Sequence, residues 1–317
     1  MFDMNAGELS GSGIRVLFYG MPAGASSGVL GRLIEGGVDI AAVVVASESV
    51  PHLLPGNGQA ASCLEPHVTD RLRLTSGSEP SDTLAVAWER GIPVLAIDNF
   101  RHPDALAALV DTSADVACVA CFSRRIPAVV LRLTRYGFLN IHPSLLPNYR
   151  GPYPLFWMLR AGGGPFGVTV HYMDDGLDTG DIAAQQVVTL PEPIVESGAE
   201  SQLMLAGAEM LLEVLHDLNR GIVHRKAQPP GGSYFGFPRR EDFRLSTDWP
   251  AARAFMFMRG TSERSVPYRV FAGGESLFLD TAAGFDAGAL LDRPVRKEGH
   301  EVFIQFNPGV LHARTAG

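Results

Sequence analysis

One stretch, residues 137–181, constrains this sequence more than any other. It reads GFLNIHPSLLPNYRGPYPLFWMLRAGGGPFGVTVHYMDDGLDTGD. The apolar, alternating run at 138–142 predicts a β-strand, which Pro143 ends because proline cannot donate to a sheet ladder. Residues two apart on a strand point to the same face, so the Asn140 amide and the His142 imidazole should project into one space. This pairing predicts a site that handles an electrophile.

A second strand is predicted at residues 166–173, and it leads into an acidic, glycine-punctuated turn at residues 174–181. Such a turn can deliver a carboxylate to the imidazole of His142. Taken singly, an Asn-x-His pair is more often a hydrogen-bonded core pair, and an aspartate in a turn more often serves the turn itself. The joint occurrence of these features indicates a functional site.

Strands alternate with helices along most of the chain before this stretch, which is typical of parallel βαβ units. The fold class predicted is therefore α/β, with a Rossmann-like, mostly parallel sheet. The predicted strands before the stretch are 14–20, 40–46, 93–98 and 116–121, the predicted helices are 29–34, 82–90 and 104–110, and after it come a strand at 181–188 and a long amphipathic helix at 200–218. A stretch rich in proline, glycine and serine at 47–81 predicts a long loop.

The length of 317 residues exceeds the usual size of one domain and predicts two. We expect a disordered N-terminus at 1–13, a catalytic domain at 14–225, a linker at 226–236 and a C-terminal domain at 237–317. The linker is assigned from its Gln-Pro-Pro-Gly-Gly run. Short strands alternate with glycine turns beyond it, which predicts a smaller, β-rich domain resembling an open barrel.

Composition narrows the classes of protein that fit. No run of eighteen apolar residues occurs, and residues 1–13 lack the basic region and apolar core of a signal peptide, so a cytoplasmic protein without a membrane span is predicted. Three cysteines are too few for a disulfide framework. Cys118 and Cys121 fall in a predicted buried strand at 116–121, where they would point to opposite faces. No His-x-x-x-His pattern is present to hold zinc, and we predict no metal site.

Four fixed-spacing motifs follow one another between residues 140 and 182. They are Asn-x-His-x-Ser-Leu-Leu-Pro, Tyr-Arg-Gly-x-x-Pro, Gly-Val-Thr-x-His-x-Met and Asp-x-Gly-x-Asp-x-Gly-x-Ile. In this order and spacing the chain resembles the folate-dependent formyltransferase family. The resemblance implies a catalytic trio of Asn140, His142 and Asp178. It also implies N10-formyltetrahydrofolate as the co-substrate and no metal.

The resemblance further implies where the substrates bind. The residues implied for the folate are Phe122, Ser123, Arg125, Ile126, Leu146, Pro147, Asp174 and Gly176. Those implied for the acceptor are Tyr149, Arg150 and Gly151. The segment at 122–127 follows a predicted parallel strand, where open α/β sheets collect ligands, although an ordinary turn before a helix fits it as well. Arg150 is suited either to gripping a phosphate or carboxylate or to an ordinary surface position.

Formyl transfer assigns a role to each member of the implied trio. An amine attacks the formyl carbon, and the carbonyl oxygen becomes an oxyanion. The Asn140 amide and a protonated His142 would donate hydrogen bonds to that oxygen. Asp178 would orient His142, raise its pKa through the opposite charge and help relay the proton.

The acceptor amine is predicted from charge. Residues 237–317 contain eleven Arg and Lys against ten Asp and Glu, residues 47–62 contain neither Lys nor Arg, and the whole chain carries a net charge of -8. This distribution supplies no basic stripe for a nucleic acid, so a small molecule is favoured: a nucleotide-linked amino sugar or an amino-acid-derived amine. Transfer to methionyl-tRNA stays open as the alternative. So does a catalytically silent homologue that binds folate or nucleotide, and so does a homo-oligomer.

Overall fold

The computed structural model describes residues 13–50, 59–65, 82–192 and 194–316. Almost all of the segment predicted to be disordered, and most of the loop predicted at 47–81, therefore lie outside the described residues. A short strand and a single 3-10 turn at Ser47–Ser49 are the elements described within that loop.

Within the described residues, eight strands form the first sheet, in the spatial order β3-β4-β2-β1-β5-β6-β7-β8. They are β1 Arg15–Gly20, β2 Asp39–Ala46, β3 Ala61–Leu64, β4 Val94–Ile97, β5 Val116–Ala120, β6 Phe138–His142, β7 Gly167–Tyr172 and β8 Ile182–Val187. In this spatial order, the five neighbouring strands β4, β2, β1, β5 and β6 are parallel, whereas β3, β7 and β8 pair antiparallel with their neighbours. The predicted mostly parallel α/β sheet is confirmed.

The central strands are buried on both sides because helices cover both faces of the sheet, as βαβ crossovers require. These helices are α1 Ala25–Glu35, α2 Thr83–Glu89, α3 Pro103–Asp111, α4 Ala128–Leu131 and α6 Glu196–Asn219, whereas α5 Pro154–Ala161 packs with the C-terminal part. Alternate residues of β1 enter two separate cores: Val16 and Phe18 pack with α1 and α6, and Leu17 and Tyr19 pack with α3 and α4. This alternation follows from the two-residue period of a strand.

Helix α6 begins four residues before the predicted start at residue 200. The apolar periodicity is weak in its first turn, and contacts with the C-terminal part of the chain hold that turn instead. Glu196 forms an ion pair with Arg264, and the backbone N–H of Ser197 donates to the carboxylate of Glu263. Tertiary contacts of this kind do not leave a periodic signal in the sequence.

The C-terminal part is β-rich, as predicted. Its described strands form a six-stranded sheet in the order β12-β13-β14-β11-β10-β9. They are β9 Arg244–Leu245, β10 Tyr268–Ala272, β11 Glu275–Asp286, β12 Val295–Glu298, β13 Glu301–Gln305 and β14 Val310–Thr315, with helix α7 at Ala251–Gly260. Register shifts after Leu279 and Ala282 interrupt the alternation of buried side chains along β11.

A third core joins the two parts of the chain. It packs Leu155 and Phe156 of α5 and Leu203 of α6 against Phe257 of α7 and Tyr268 of β10. The first sheet and the C-terminal sheet are therefore held together by shared apolar packing. The domain boundaries drawn at 225 and 237 stay a prediction.

Helix α6 lies close to the first sheet at Gly207. A Cβ on Gly207 would overlap Cγ2 of Ile141 in β6 and lie 2.9 Å from Cγ2 of Val168 in β7. Because overpacking outweighs the better helix propensity of alanine, Gly207→Ala should lower the free energy of unfolding by about 1 to 2 kcal/mol. Urea unfolding followed by circular dichroism measures the change.

Gly198→Ala in the same helix is the matched control. A Cβ there would lie 3.6 Å from its nearest neighbour, Cγ1 of Ile194, which is ordinary van der Waals contact. This variant should be as stable as the unsubstituted chain or slightly more stable. Equal effects at the two positions would contradict close packing at Gly207.

Candidate active site

A cleft of about 570 Å³ opens at the carboxyl ends of β5 and β6. One wall is the segment that follows β5, and the floor is the end of β6. The opposite wall comes from the start of α5, the first turn of α6 and the 3-10 turn at Ser262–Arg264. In an open α/β sheet, the carboxyl ends of the strands are where ligands bind, so the position of this cleft fits a substrate site.

The structure brings the three residues of the implied trio together in this cleft. Asn140 and His142 lie on one face of β6, and both line the cleft together with Asp178 from the turn after β7. Oδ2 of Asp178 lies 3.7 Å from Nδ1 of His142 and accepts a 2.8 Å hydrogen bond from the backbone N–H of Gly151. The other carboxylate oxygen, Oδ1, lies 3.6 Å from Nε2 of His171.

Glycine is the only residue type that fits at position 151, where the backbone N–H contacts Asp178. Its φ of 109° lies in the left-handed region, and a Cβ there would overlap the carbonyl oxygen of Phe235. The backbone N–H that anchors Asp178 therefore depends on the absence of a side chain. Sequence reasoning selected Gly151 as an acceptor contact, and the structure adds this second role.

The tautomer of His142 follows from its partners. Nε2 lies 2.9 Å from the carbonyl oxygen of Tyr149. A carbonyl only accepts hydrogen bonds, so Nε2 carries the hydrogen and the neutral ring has its lone pair on Nδ1, which faces Asp178. Nδ1 is thus the atom at which His142 can take up a proton.

Burial lowers the pKa of His142, and this effect outweighs the opposing influence of the Asp178 carboxylate. Asp178 does raise the pKa of His142, as predicted, but the predicted protonated ring gives way to the neutral form, because the ring is 5% exposed and loses the solvation of its charged form. Burial alone would raise the pKa of Asp178. The positive charge of the neighbouring imidazoles, when they are protonated, and the N–H of Gly151 overcome it and hold that pKa well below its ordinary range.

His171 is a member of the site that sequence reasoning missed. It lies directly across from Asn140 in the antiparallel ladder of β6 and β7. Its Nε2 lies 3.1 Å from Nδ2 of Asn140, and its Nδ1 lies 2.9 Å from the carbonyl oxygen of Tyr172. The motif Gly-Val-Thr-x-His-x-Met contains the residue, but only the register of the strand pair reveals its partner.

The predicted folate rim follows β5 and lines the cleft with Phe122, Ser123, Arg125 and Ile126. The ring of Phe122 packs edge-on against Tyr19, at a centroid distance of 5.5 Å. The Arg125 guanidinium donates to the carbonyl oxygen of Asp175, which ties the rim to the turn that carries Asp178. Their role in folate binding stays a prediction.

The other four residues predicted to contact folate do not line the cleft. Leu146 is buried, and the carbonyl oxygen of Pro147 accepts a hydrogen bond from the backbone N–H of Ser233. Asp174 shapes the turn, since its Oδ1 accepts from the backbone N–H of Gly176 at 3.0 Å and from Oγ1 of Thr179 at 2.7 Å. These contacts support the backbone that presents Asp178.

Two of the predicted acceptor residues lie behind the cleft. The ring of Tyr149 stacks on Phe235 at a centroid distance of 5.6 Å. The Arg150 guanidinium donates to Oε1 of Gln228 at 2.6 Å and to the carbonyl oxygen of Asp178 at 3.1 Å. Arg150 thus holds the turn around Asp178, and its role in acceptor binding stays a prediction.

The wall opposite the rim is acidic, and the sequence patterns did not indicate it. Arg264 makes two hydrogen bonds of 2.7 and 2.6 Å to the carboxylate of Glu196, and Oγ of Ser197 donates to Glu263. Burial, together with the nearby charge of Glu196, raises the pKa of the Glu200 carboxyl. The wall thus contains the carboxyl groups of Glu196, Glu200 and Glu263, and the cation beside them, Arg264, is already paired with Glu196.

Cys121 also lies in the cleft rather than in the core strand predicted for it. Strand β5 ends at Ala120, and Cys121 has a φ of 56°, which turns its side chain toward α6. Its Sγ lies 3.8 Å from Oε1 of Glu200, and burial raises the pKa of the thiol. Cys118 is fully buried, as predicted.

The described residues contain neither a candidate metal cluster nor a helix suited to span a membrane. No group of three or more His, Cys, Asp or Glu side chains in this part of the chain is arranged to hold a metal ion. Among the described helices, none combines the length and apolar character that a membrane span requires.

Comparison with known proteins places the chain among the formyltransferases. The formyl transferase family matches residues 65–215. The methionyl-tRNA formyltransferase of Pelotomaculum thermopropionicum is 31% identical over 278 residues, which cover 88% of this chain and 82% of that protein. The enzyme of the same name from Geobacter metallireducens is 33% identical over 217 residues, covering 68% of this chain and 63% of the relative, so the matched region is less than two thirds of that protein.

Solved structures share the fold at low sequence identity. WlaRD, a sugar 3N-formyltransferase, has a TM-score of 0.63 at 13% identity, covering 97% of this chain and 99% of its own. HypX from Aquifex aeolicus has a TM-score of 0.56 at 17% identity, with 95% of this chain covered but 44% of HypX. These similarities, together with the sequence relatives, confirm the family indicated by the four motifs: the chain belongs to the formyl transferase family.

Proposed function

We propose that this protein transfers a formyl group from N10-formyltetrahydrofolate to the primary amine of a small-molecule acceptor. The observation that carries the proposal is the convergence of Asn140, His142 and Asp178 in one cleft at the carboxyl ends of the parallel strands. An amide donor, a neutral imidazole and a carboxylate are the groups that an acyl transfer to an amine needs. The family to which the chain belongs supports the same reaction.

The reaction begins when the neutral amine attacks the formyl carbon. The carbonyl oxygen becomes an oxyanion, which an N–H of the Asn140 amide stabilises. Nδ1 of His142 takes the proton that the amine loses, and Asp178, 3.7 Å away, stabilises the imidazolium that forms. The intermediate then collapses: the bond from carbon to N10 breaks, His142 returns the proton to N10, and tetrahydrofolate and the formamide leave.

The rim supports a place for the folate. Phe122 and Ile126 are apolar and Ser123 offers polar backbone and side-chain groups, which suits a planar pterin ring with polar edges. Tyr19 packs against the rim from below, so the position of Phe122 is fixed before a ligand arrives. The same wall ends next to Asn140, which would bring N10 close to the catalytic groups.

The acidic wall supports an acceptor that brings no phosphate into the cleft. Glu200 and Glu263 face it, and Arg264, the cation beside them, is neutralised by Glu196. A phosphate beside this wall would meet carboxylates, because the other cations that line the cleft, Arg124 and Arg125, belong to the rim, whereas an amine arriving as an ammonium would be attracted. Of the predicted acceptors, this favours an amino-acid-derived amine over a nucleotide-linked sugar.

Methionyl-tRNA is the second candidate acceptor, because the sequence relatives described above carry that name. The cleft would need to receive only the aminoacyl end of the tRNA, with the phosphates outside. A protein acting on either kind of amine would work in the cytoplasm, which is the location we propose.

An acceptor screen tests the proposal. Purified protein is incubated with formyltetrahydrofolate and, in separate reactions, an amino-acid amine, a nucleotide-linked amino sugar or methionyl-tRNA, while tetrahydrofolate release is followed. Turnover with the amino-acid amine is expected. Turnover with methionyl-tRNA alone would replace the small-molecule proposal, release without any acceptor would indicate a hydrolase, and no release at all would favour a silent homologue.

His142→Ala should lower the turnover number by about 100-fold or more, because it removes the group that accepts the amine proton. The matched control is His300→Ala, an exposed histidine in the turn between β12 and β13, which should turn over like the unsubstituted protein. Initial rates at saturating substrate measure both. Unaltered turnover in the first variant would rule out the proposed base.

The neutral state of His142 can be tested through stability. The pKa of His142 is 6.5 in the unfolded chain and lower in the folded chain. As pH falls below 6.5, the unfolded chain therefore binds a proton at His142 that the folded chain does not bind, and the free energy of unfolding decreases. Asp178, whose pKa is depressed below 3.8, adds no pH dependence above about pH 5. Between pH 7.5 and 5.5, the melting temperature of the unsubstituted protein should therefore fall more than that of His142→Gln. Parallel curves would show that His142 is not held neutral by burial.

A further inference from the structure

We infer that His171 is a positioning residue that fixes the direction of the Asn140 amide, so that an N–H rather than the oxygen faces the reacting carbonyl. The inference rests on the proposed function, since it concerns the oxyanion donor of that reaction. His171 is 1% exposed and lies directly across from Asn140 in the ladder of β6 and β7. It does not line the cleft, so it acts through Asn140.

The hydrogen bonds of His171 determine its tautomer. Nδ1 lies 2.9 Å from the carbonyl oxygen of Tyr172, and because that oxygen only accepts, Nδ1 carries the hydrogen. In the neutral ring Nε2 then has a lone pair. The amide nitrogen of Asn140, 3.1 Å away, donates to it.

This contact selects one of two amide orientations. A side-chain amide turned by half a revolution would set Oδ1 of Asn140 against the lone pair of His171, so that two acceptors would meet without a hydrogen between them. In the observed orientation one hydrogen of the NH2 group is used by His171. The second has no partner among the described residues and is available for the oxyanion.

Two other groups face His171, and they act on the same arrangement. Oδ1 of Asp178 lies 3.6 Å from Nε2, and the ring of His142 lies at a centroid distance of 6.3 Å. Oδ1 of the Asp178 carboxylate only accepts hydrogen bonds, so it offers no donor to the oxygen of the Asn140 amide in the reversed orientation. The tautomer of His171 with hydrogen on Nδ1 and a lone pair on Nε2 keeps the Asn140 amide in the orientation that catalysis needs.

A double-mutant cycle tests the inference. His171→Phe should lower the turnover number by about tenfold or more with little change in KM, because the amide is then free to present its oxygen to the developing negative charge. In an Asn140→Ala background the same substitution should cost less than about twofold, since there is no amide left to orient. Equal losses in the two backgrounds would show a merely structural role and overturn the inference.

His312→Phe is the matched control for the substitution. This histidine stacks on Phe303 in the C-terminal sheet, away from the cleft, and its replacement should leave turnover unchanged in both backgrounds. Melting temperatures of all variants identify any that fail to fold.

Nitrogen-15 NMR of histidine-labelled, unsubstituted protein gives a readout that needs no folded His171 variant. We expect the spectrum to show the hydrogen on Nδ1 of His171 and a lone pair on Nε2. Hydrogen on Nε2 would require the reverse amide orientation and would overturn the inference. Because this measurement does not depend on turnover, it still decides the role of the ring if the acceptor screen disproves formyl transfer.

Discussion

The antiparallel pairing of β6 with β7 is the constraint on which the rest of the site depends. It sets Asn140 opposite His171, and the turn that follows β7 returns Asp178 to both imidazoles. A shift of one residue in this register would send Asn140 and His142 to the other face of the sheet. Helix α6 maintains the register from below, because Gly207 allows it to lie directly on Ile141, between the two polar residues.

Hydrogen bonds to and from the backbone fix the position of Asp178 as much as its charged neighbours do. The N–H of Gly151 donates to its carboxylate, Arg150 and Gln228 donate to its carbonyl oxygen, and Asp174 closes the turn around it. The φ of 55° at Asp178 is uncommon for a residue with a side chain, and these contacts maintain it. Arg150, Gly151 and Asp174, which the resemblance assigns to substrate binding, thus also help to place one carboxylate.

Much of this arrangement was predictable because it is local in sequence. The i, i+2 spacing of Asn140 and His142 on a strand, and the glycine-rich turn that carries Asp178, are read directly from residues close in the chain. The neutral state of His142 was not predictable, because it depends on how completely neighbouring elements exclude water. The acidic wall was missed for a similar reason: Glu200 and Arg264 are brought together by the packing of α6 against the C-terminal part, which no short-range pattern encodes.

The core shared by α5, α6 and the C-terminal sheet also bears on how new specificities could arise in this architecture. Phe156 and Phe257 pack edge to face across the two parts, and Arg264 from the C-terminal part supplies one wall of the cleft. A C-terminal segment exchanged between relatives would therefore carry with it both a packing surface and a piece of the binding site. A recombinant chain would keep this packing when α5 and the C-terminal segment come from the same parent. Acceptor preference and the packing between the two parts would then be inherited together.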